Sequence, residues 1–299
     1  MLAEVARFYR HARRLLDQPR SNPADEVTLG EFLAAGRFSQ YFQDHFVLPL
    51  VSAVWSAPEP VSRSYPIRYL LEFLRQHGAL SVSGSPVWRT VVGGSRAYVR
   101  QIADRLSTVY ADAPVRAVRR VGDGVVLHDD AGTTHHADRV VIATHADQAL
   151  ALLADPTADE RGVLGEFDYT VNETILHTDA SVLPRNQHAV ASWNYLKPSC
   201  EGASKVMVSY HMNRLMRLPT AMPILVSLNA DDRVDTSTVL ARMTYRHPVY
   251  TPKSVAAQRL LPSLNSERTA FAGAYHGWGF HEDGCVAGAQ AAAAFGAHW

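Results

Sequence analysis

The sequence predicts a mixed α/β fold, and three features of its 299 residues carry that prediction. Near the C-terminus a short apolar run enters a glycine-punctuated loop that opens an alanine-rich helix, Thr269 to Phe295. A compact apolar run, Arg139 to Ala143, suits a buried parallel strand and precedes a helical pattern over Asp147 to Leu153. Between residues 167 and 247 several extended runs are joined by polar linkers, the pattern of a mainly antiparallel sheet.

Taken in order, residues 2–17 place Leu2, Val5, Phe8, Leu15 and Leu16 on or near one helical face, with arginines opposite. Pro19 and Pro23 end that helix. Thr28 and Glu31 form a capping box that opens a helix through Leu33. Phe38 to Trp55 is aromatic-rich and helical around a break at Pro49, and Pro66 to Gln76 is a helix closed by His77-Gly78. Trp88 to Leu106 reads as an extended segment, a Gly93-Gly94 turn and a helix. The period then changes, and Val115–Val121, Val125–His128 and Thr133–His136 form a β-meander around glycine-containing turns. Later strands are expected at Tyr169–Leu176, Ala189–Tyr195, Lys205–Tyr210 and Ile224–Leu228, with Val239–Tyr245 the weakest pattern. Pro252 to Leu261 reads as a short helix that leads back to the closing strand.

Composition narrows the function. Hydrophobic content of 47% and charged content of 19% are those of a globular chain. Twenty-nine basic and 29 acidic residues give no net charge, which argues against a broad electrostatic grip on nucleic acid. Cys200 and Cys285 lie far apart without a C-x-x-C, so neither a disulfide nor a zinc framework is expected, and a reducing cytoplasm is the expected compartment. Met1 leads straight into Glu4, Arg7 and Arg10 without a secretory apolar core. No run reaches the ~20 apolar residues of a transmembrane helix. The apolar segment Phe46 to Val51 reads either as a buried helix or as a point of peripheral membrane contact. His135 and His136 are adjacent on a hairpin and so point to opposite faces, and no HExxH accompanies them; no metal site is expected. No GxSxG nucleophile elbow occurs.

The terminal stretch is the richest in chemistry. Gly273, Gly277, Gly279 and Gly284 allow positive φ and close backbone approach, and the following helix start suits a phosphate. A tight βα turn with a closely packed helix would select the same glycines and alanines. Glu282 and Asp283 either cap the helix or face sugar hydroxyls.

The string FAGAYHGWGFHEDG resembles the C-terminal flavin-binding segment of the flavin amine oxidase and phytoene desaturase superfamily. More narrowly it is similar to bacterial predicted FAD-dependent oxidoreductases that end in a GFHEDG-type motif, and to the flavoprotein module fused to plant cyclopropane fatty acid synthases. PVWRTVVGGSRAYV from Pro86, DRVVIATHADQAL from Asp138, Leu176-His177-Thr178-Asp179 and Trp193-Asn194-Tyr195 agree in the same order. The resemblance implies an incomplete FAD/NAD(P)-binding Rossmann-like domain, at 80–150 and 264–299. A substrate-binding domain with a mainly antiparallel sheet and helices would hold 1–79 and 151–263. It implies FAD as cofactor and oxidation or desaturation of an apolar, fatty-acyl or lipid-linked small molecule.

By the same resemblance, Gly273 and Ala274 lie near the pyrophosphate and ribityl chain, and Gly279, Phe280, Glu282, Asp283 and Gly284 lead onto the flavin-side helix. Many superfamily members have an acidic residue where this chain has Ala274. Val115 corresponds to an adenine contact, Ala143 and Thr144 to a βα crossing, and Gly93-Gly94 to a double-glycine turn near the flavin. Trp88, Trp193, Tyr275 and Trp278 are candidates for the substrate pocket or for core. His276 and His281 are candidate acid–base groups, since histidine titrates near neutral pH, or structural histidines. The superfamily opens with a strand, a GxGxxG loop and a helix, and no GxGxxG occurs in these residues. The chain is therefore expected to be an N-terminally truncated flavoprotein; the alternative is a non-catalytic remnant or binding subunit that keeps the fold without FAD.

Overall fold

The computed structural model describes residues 1–20, 27–81, 86–197 and 207–297. Among these the chain forms, in order, helices α1 (Leu2–Leu16), α2 (Leu29–Ala35), α3 (Gln40–Phe42), α4 (Leu48–Trp55), α5 (Glu59–Arg63), α6 (Ile67–Gln76) and α7 (Ser95–Ala103). Strands β1 (Val115–Val121), β2 (Gly124–Asp129), β3 (Thr134–Ala137) and β4 (Val140–Ile142) follow, then α8 (Ala146–Leu152) and α9 (Ala158–Leu164). Next come β5 (Tyr169–His177), β6 (Trp193–Leu196), β7 (Met207–His211), α10 (Met212–Met216), β8 (Leu225–Leu228) and β9 (Val239–Pro248). α11 (Pro252–Gln258), β10 (Thr269–Phe271) and α12 (His281–Ala294) complete the chain. Two compact units result: Met1–Arg105 with Tyr169–Pro252, and Leu106–Asp168 with Lys253–Trp299. Residues 86–105 thus belong with the first unit and not with the meander, because Trp88 packs its ring onto His77 and Trp193.

In the first unit α1 buries Phe8, Ala12 and Leu16, a narrower stripe than the sequence suggested, and Leu2 stays in solvent. Phe8 sits among Phe32, Phe38 and Phe42 at centroid distances of 5.8–5.9 Å. The Thr28 capping box forms: the Glu31 amide donates to Thr28 Oγ1 at 3.3 Å, and the Thr28 amide donates to Glu31 Oε2 at 2.8 Å. The helix after Phe38 does not break at Pro49. It widens into a π-helical turn over Gln43–Val47, and Pro49 enters α4 in its first turn, where its missing N–H costs least. Val47, Leu48 and Val51 are buried in the core, while Phe46, Pro49 and Leu50 stay partly exposed.

The rest of the first unit is a five-stranded antiparallel sheet of order β6-β7-β8-β5-β9. The weakest predicted strand is its longest, β9, which pairs along the whole of β5. Trp193–Leu196 is the paired part of the expected Ala189–Tyr195 strand, and residues 187–189 turn as a 3-10 helix. Cys200, Lys205 and the start of the expected Lys205–Tyr210 strand lie outside the described residues. One face packs Ile175, Met207 and Leu225 with Val182, Ala230 and Val234. A polar row crosses that apolar face. Asn194 Nδ2 donates to Ser209 O at 3.2 Å, Ser209 and Ser227 hydroxyls meet at 2.6 Å, and His177 Nε2 lies 2.8 Å from Ser227 Oγ. The Asp179 amide donates to His177 Nδ1 at 3.2 Å, which assigns the proton to Nε2 and makes Ser227 its acceptor.

In the second unit β1, β2 and β3 form the expected meander, with both ends of β2 and of β3 offset by one residue. Glu160 ties this meander to α9: it accepts the Thr157 amide at 2.7 Å and receives Arg120 of β1 in two bonds of 2.7 and 3.0 Å. Burial alone would raise the Glu160 carboxyl, but the Arg120 guanidinium and the Thr157 cap hold it below its ordinary range. β4 pairs parallel with β10, as the Arg139–Ala143 run suggested. The strand is not enclosed, however: Ile142 is buried while Val141 is 41% exposed. Ala270, the partner of Val141, packs with Ala272 against Ala287, Ala291 and Phe295, so α12 covers β10 and leaves β4 open.

The His177 row yields a test. Removing the acceptor with Ser227→Ala strands a buried N–H and is expected to cost about 1–3 kcal/mol in urea unfolding. Burial lowers the His177 pKa, with Asp179 opposing. A histidine depressed in the folded state contributes stability that is full above its unfolded pKa of about 6.5 and is lost as pH falls through the folded value. Thermal stability of the wild type should therefore fall below about pH 6.5 more steeply than that of His177→Gln; equal slopes would dismiss the linkage.

Candidate functional site

The parallel pair β4–β10 places two strand ends and two helix starts in one region of the second unit. Val140, Val141 and Ile142 pair with Thr269, Ala270 and Phe271, and the Ala272 amide extends the pairing by donating to Ile142 O at 3.1 Å. In parallel α/β sheets ligands bind outside the carboxyl ends of the strands. Here those ends are Ala143-Thr144 and Ala272-Gly273.

Gly273 takes φ 153° and ψ 162°, a backbone conformation that residues with side chains rarely adopt, and a Cβ there would lie 2.6 Å from the Tyr275 ring and 3.3 Å from Thr144 O. A side chain cannot enter, so the backbone itself lines the junction of the two strand ends. The chain then turns through a short 3-10 helix, Ala274–His276, and Gly277 and Gly279 both return their amides to Ala274 O at 3.1 Å. Gln258, the last residue of α11, clamps this loop by donating Nε2 to Tyr275 O and Gly277 O at 2.8 Å each.

α12 begins at His281, and Asp283 caps its start. Asp283 Oδ2 accepts the Phe280 amide at 2.9 Å. A Cβ on Gly277 would fall 2.1 Å from Asp283 Oδ1, so Gly277 is the space that the cap occupies. Of the two readings the sequence left for this carboxylate, the geometry contains the cap. Glu282 and His281 are exposed, and Gly284 has room around it.

Tyr275 packs edge-on against Phe167 at 5.2 Å and is buried, so it serves as the floor of the loop. His276 stacks beside it at 4.7 Å, with a buried Nε2 that has no hydrogen-bond partner. Desolvation lowers its pKa to about 4. At neutral pH this imidazole is uncharged, a hydrogen-bonding group and a weak base. Trp278 and Phe280 are partly exposed on the same loop, and Ala143 and Thr144 are exposed at the β4 end. Val115 opens β1, at the bulge before Ala117, and is partly exposed.

The other sequence candidates lie in the first unit. Gly93 and Gly94 have φ of 83° and 76° and form the turn before α7. Trp88 and Trp193 do meet, at 6.4 Å, and His77 and Tyr210 join them at 5.7 and 6.0 Å. Nothing in the spacing of His77 or Tyr210 marked them for this cluster. Nor did the sequence single out Glu59, which accepts Lys197 Nζ at 2.7 Å with both side chains largely buried. Tyr195, nearby, is pushed up to about 12 by burial and then by the Glu59 charge.

The family model described as flavin-containing amine oxidoreductase matches residues 2–294. No curated protein sequence matches the chain. Among solved structures the chain resembles wild-type putrescine oxidase bound to putrescine, with a TM-score of 0.64, 14% identity, and coverage of 98% of this chain and 74% of the oxidase. It resembles cyclohexylamine oxidase from Brevibacterium oxydans IH-35A at a TM-score of 0.62 and 14% identity, with the same coverages. It also resembles a CLA-producing fatty acid isomerase from P. acnes at a TM-score of 0.59 and 15% identity, covering 89% of this chain but only 65% of the isomerase. At these identities the likeness is one of fold.

Two tests follow from the loop. In a proton NMR titration the His276 imidazole should titrate near about pH 4, and a value near the unperturbed ~6.5 would contradict its burial. Its share of stability is complete above about 6.5 and disappears as pH falls through about 4. Gly277→Ala should displace Asp283, release the Phe280 amide and destabilise the protein by about 1 kcal/mol or more, with hydrogen exchange accelerated in the first turn of α12. Unchanged exchange there would remove the link between Gly277 and the cap.

Proposed function

Because this chain belongs to the flavin-containing amine oxidoreductase family, we propose that its second unit supplies the strand-end side of an FAD site in an FAD-dependent oxidoreductase. The observation that carries the reading is Gly273 at the end of β10, whose φ of 153° and a Cβ position 2.6 Å from the Tyr275 ring and 3.3 Å from Thr144 O leave only bare backbone there. A dinucleotide needs such bare backbone to approach, and adjacent parallel strand ends are where the fold offers it. Gly273, Ala274, Ala143 and Thr144 would hold the chain of the cofactor, and Gly279 and Phe280 with the start of α12 its flavin side. FAD held there would supply the hydride-accepting chemistry. The protein's part is to orient and to exclude water: Gln258 fixes the loop, Tyr275 fills the space beneath it, and neutral His276 offers an uncharged imidazole. His281 is exposed at the start of α12.

The substrate is proposed to be apolar, of fatty-acyl or lipid-linked type, undergoing oxidation or desaturation. The likeness to the plant modules supports this, and the Trp88–Trp193–Tyr210 group supplies an aromatic surface on the first unit. The absence of GxGxxG from these 299 residues favours a second reading, a binding subunit that keeps the fold without FAD.

The discriminating experiment joins a strand–GxGxxG–helix unit of the kind that opens the superfamily to the N-terminus and compares visible spectra with those of the chain alone. The extended protein should purify with flavin absorption bands, and the chain alone with weak bands or none. Adding Gly273→Val should strip flavin from the extended protein by about tenfold or more, whereas Gly122→Ala, at an open hairpin turn, should not. A folded extended protein without flavin, even after incubation with FAD, would leave the cofactor-free reading in possession.

A further inference from the structure

The glycine loop of the second unit carries an imidazole whose hydrogen bonding the protein leaves open. His276 Nε2 is out of reach of water and has no hydrogen-bond partner among the described residues. The residue as a whole is partly exposed, and Nδ1, also without a partner among the described residues, stays open to solvent. The ring lies beside Tyr275 with centroids 4.7 Å apart. The His276 amide donates to Gly273 O at 3.1 Å, so the imidazole is carried by the same turn that bares the Gly273 backbone. Gly273 and Ala274 bring no polar side chain to that turn and Tyr275 is buried beneath it, which leaves the polar chemistry of the turn to His276.

The two nitrogens face different surroundings, and that fixes the tautomer. A neutral imidazole carries one N–H and one lone pair. Buried N–H groups without an acceptor are rarer in proteins than buried acceptors without a donor. A proton on Nδ1 can reach water or a ligand, whereas a proton on Nε2 would be stranded. The neutral ring therefore holds its proton on Nδ1 and buries a bare lone pair at Nε2. A second proton would strand an N–H and a charge together, and burial accordingly lowers the pKa to about 4. The titratable side chains of the elements that meet this turn are His281, Glu282 and Asp283 of α12, Lys253 of α11, and Asp168 beside Phe167. None of them enters that shift, which burial alone produces. The result is a donor that stays neutral near physiological pH, on a turn of bare backbone, with no acceptor in the protein. The diphosphate of a dinucleotide is rich in acceptor oxygens and has no donor of its own, so it matches an N–H and not a lone pair. Resting on the FAD reading above, we propose that His276 is a positioning residue of the cofactor site, donating Nδ1–H to an oxygen of the bound diphosphate while Nε2 stays bare against the protein.

Two measurements test this. In the full chain labelled with nitrogen-15 histidine, long-range proton–nitrogen spectra near neutral pH should show His276 protonated at Nδ1. An Nε2–H tautomer there would overturn the proposal before any ligand is added. In the protein extended by a GxGxxG unit, FAD should move the His276 Nδ1 resonance together with the Gly273 amide. Riboflavin, which lacks the diphosphate, should leave Nδ1 where it was, and an equal shift with riboflavin would take the contact away from the diphosphate. His276→Phe should weaken FAD binding by about three- to tenfold, the range of one neutral hydrogen bond. His276→Asn, whose amide reaches the place of Nδ1, should restore it; rescue by His276→Gln instead, whose amide reaches the place of Nε2, would overturn the assignment. The ratio of wild-type to His276→Asn affinity should stay constant between about pH 5.5 and 8, because the ring remains neutral throughout. Binding that strengthens in wild type alone as pH falls through ~6.5 would mean a cationic imidazole and would count against it. FAD that moves the Gly273 amide but not Nδ1, or equal binding by His276→Phe, would sink this contact and leave the FAD reading standing. A folded extended protein that takes up no flavin would sink both.

Discussion

The candidate site depends on a single parallel pairing, three residues of β4 against three of β10. Such a pair has no hairpin turn to enforce it, and its partners stand more than a hundred residues apart in sequence. What holds it is coverage. β10 is wholly buried, with α12 on its Ala270 face and the Leu261–Leu264 turn packed against it. Once β10 is fixed, β4 is fixed by hydrogen bonds from Val140 N–H to Arg268 O and from Ala272 N–H to Ile142 O. Ala143-Thr144 and Gly273 then emerge side by side as a consequence. The glycine loop, the Gln258 clamp and the start of α12 are all measured from that junction.

The same coverage explains what the sequence could and could not tell. Periodicity located the meander, the parallel pair, the Thr28 capping box and α12, because each is a local pattern of apolar spacing or cap chemistry. It called for a buried strand at Arg139–Ala143, since Val-Val-Ile reads as enclosed on both faces. Only Ile142 is, because burial depends on what lies over the strand, and α12 covers the neighbour alone. α9 was missed although Thr157 and Glu160 repeat the spacing that marked α2; the segment lacks the apolar run that usually accompanies a box. The π-helical turn before Pro49 left no signal, because the sequence states that a proline interrupts the ladder but not how the chain absorbs it. At the site, Gly273 and Gly277 were legible as glycines with a purpose, but only coordinates separate their purposes. One clears the junction of two strands, and the other makes room for Asp283.

The five-stranded sheet and the parallel pair also divide polar and apolar chemistry differently. In the five-stranded sheet the polar row from Asn194 to His177 crosses an otherwise apolar face, and each member finds a partner on the adjacent strand. Buried polar groups satisfied in this way fix strand register, since a slip by one residue would orphan several at once. The parallel pair has no such row. Its register is set by backbone bonds and by the small residues Ala270, Ala272, Ala287 and Ala291 that let helix and strand approach closely.

The Asp283 cap constrains how a dinucleotide could lie at this site. A helix start normally attracts a phosphate, but here a carboxylate already occupies the Phe280 amide and brings its own negative charge. Two unit charges about 4 Å apart repel by roughly 4 kcal/mol at an effective dielectric of 20, several times what the end of a helix returns. A phosphate at the first turn of α12 is therefore disfavoured while Asp283 is ionised. The uncharged parts of a cofactor, a ring edge or sugar hydroxyls that can donate to Asp283, suit that position. If FAD binds as proposed, its diphosphate would lie toward Gly273 and Thr144 rather than against Asp283. In the proposed FAD site, then, the charge of the cap would favour the flavin end toward α12 by making the opposite orientation electrostatically costly.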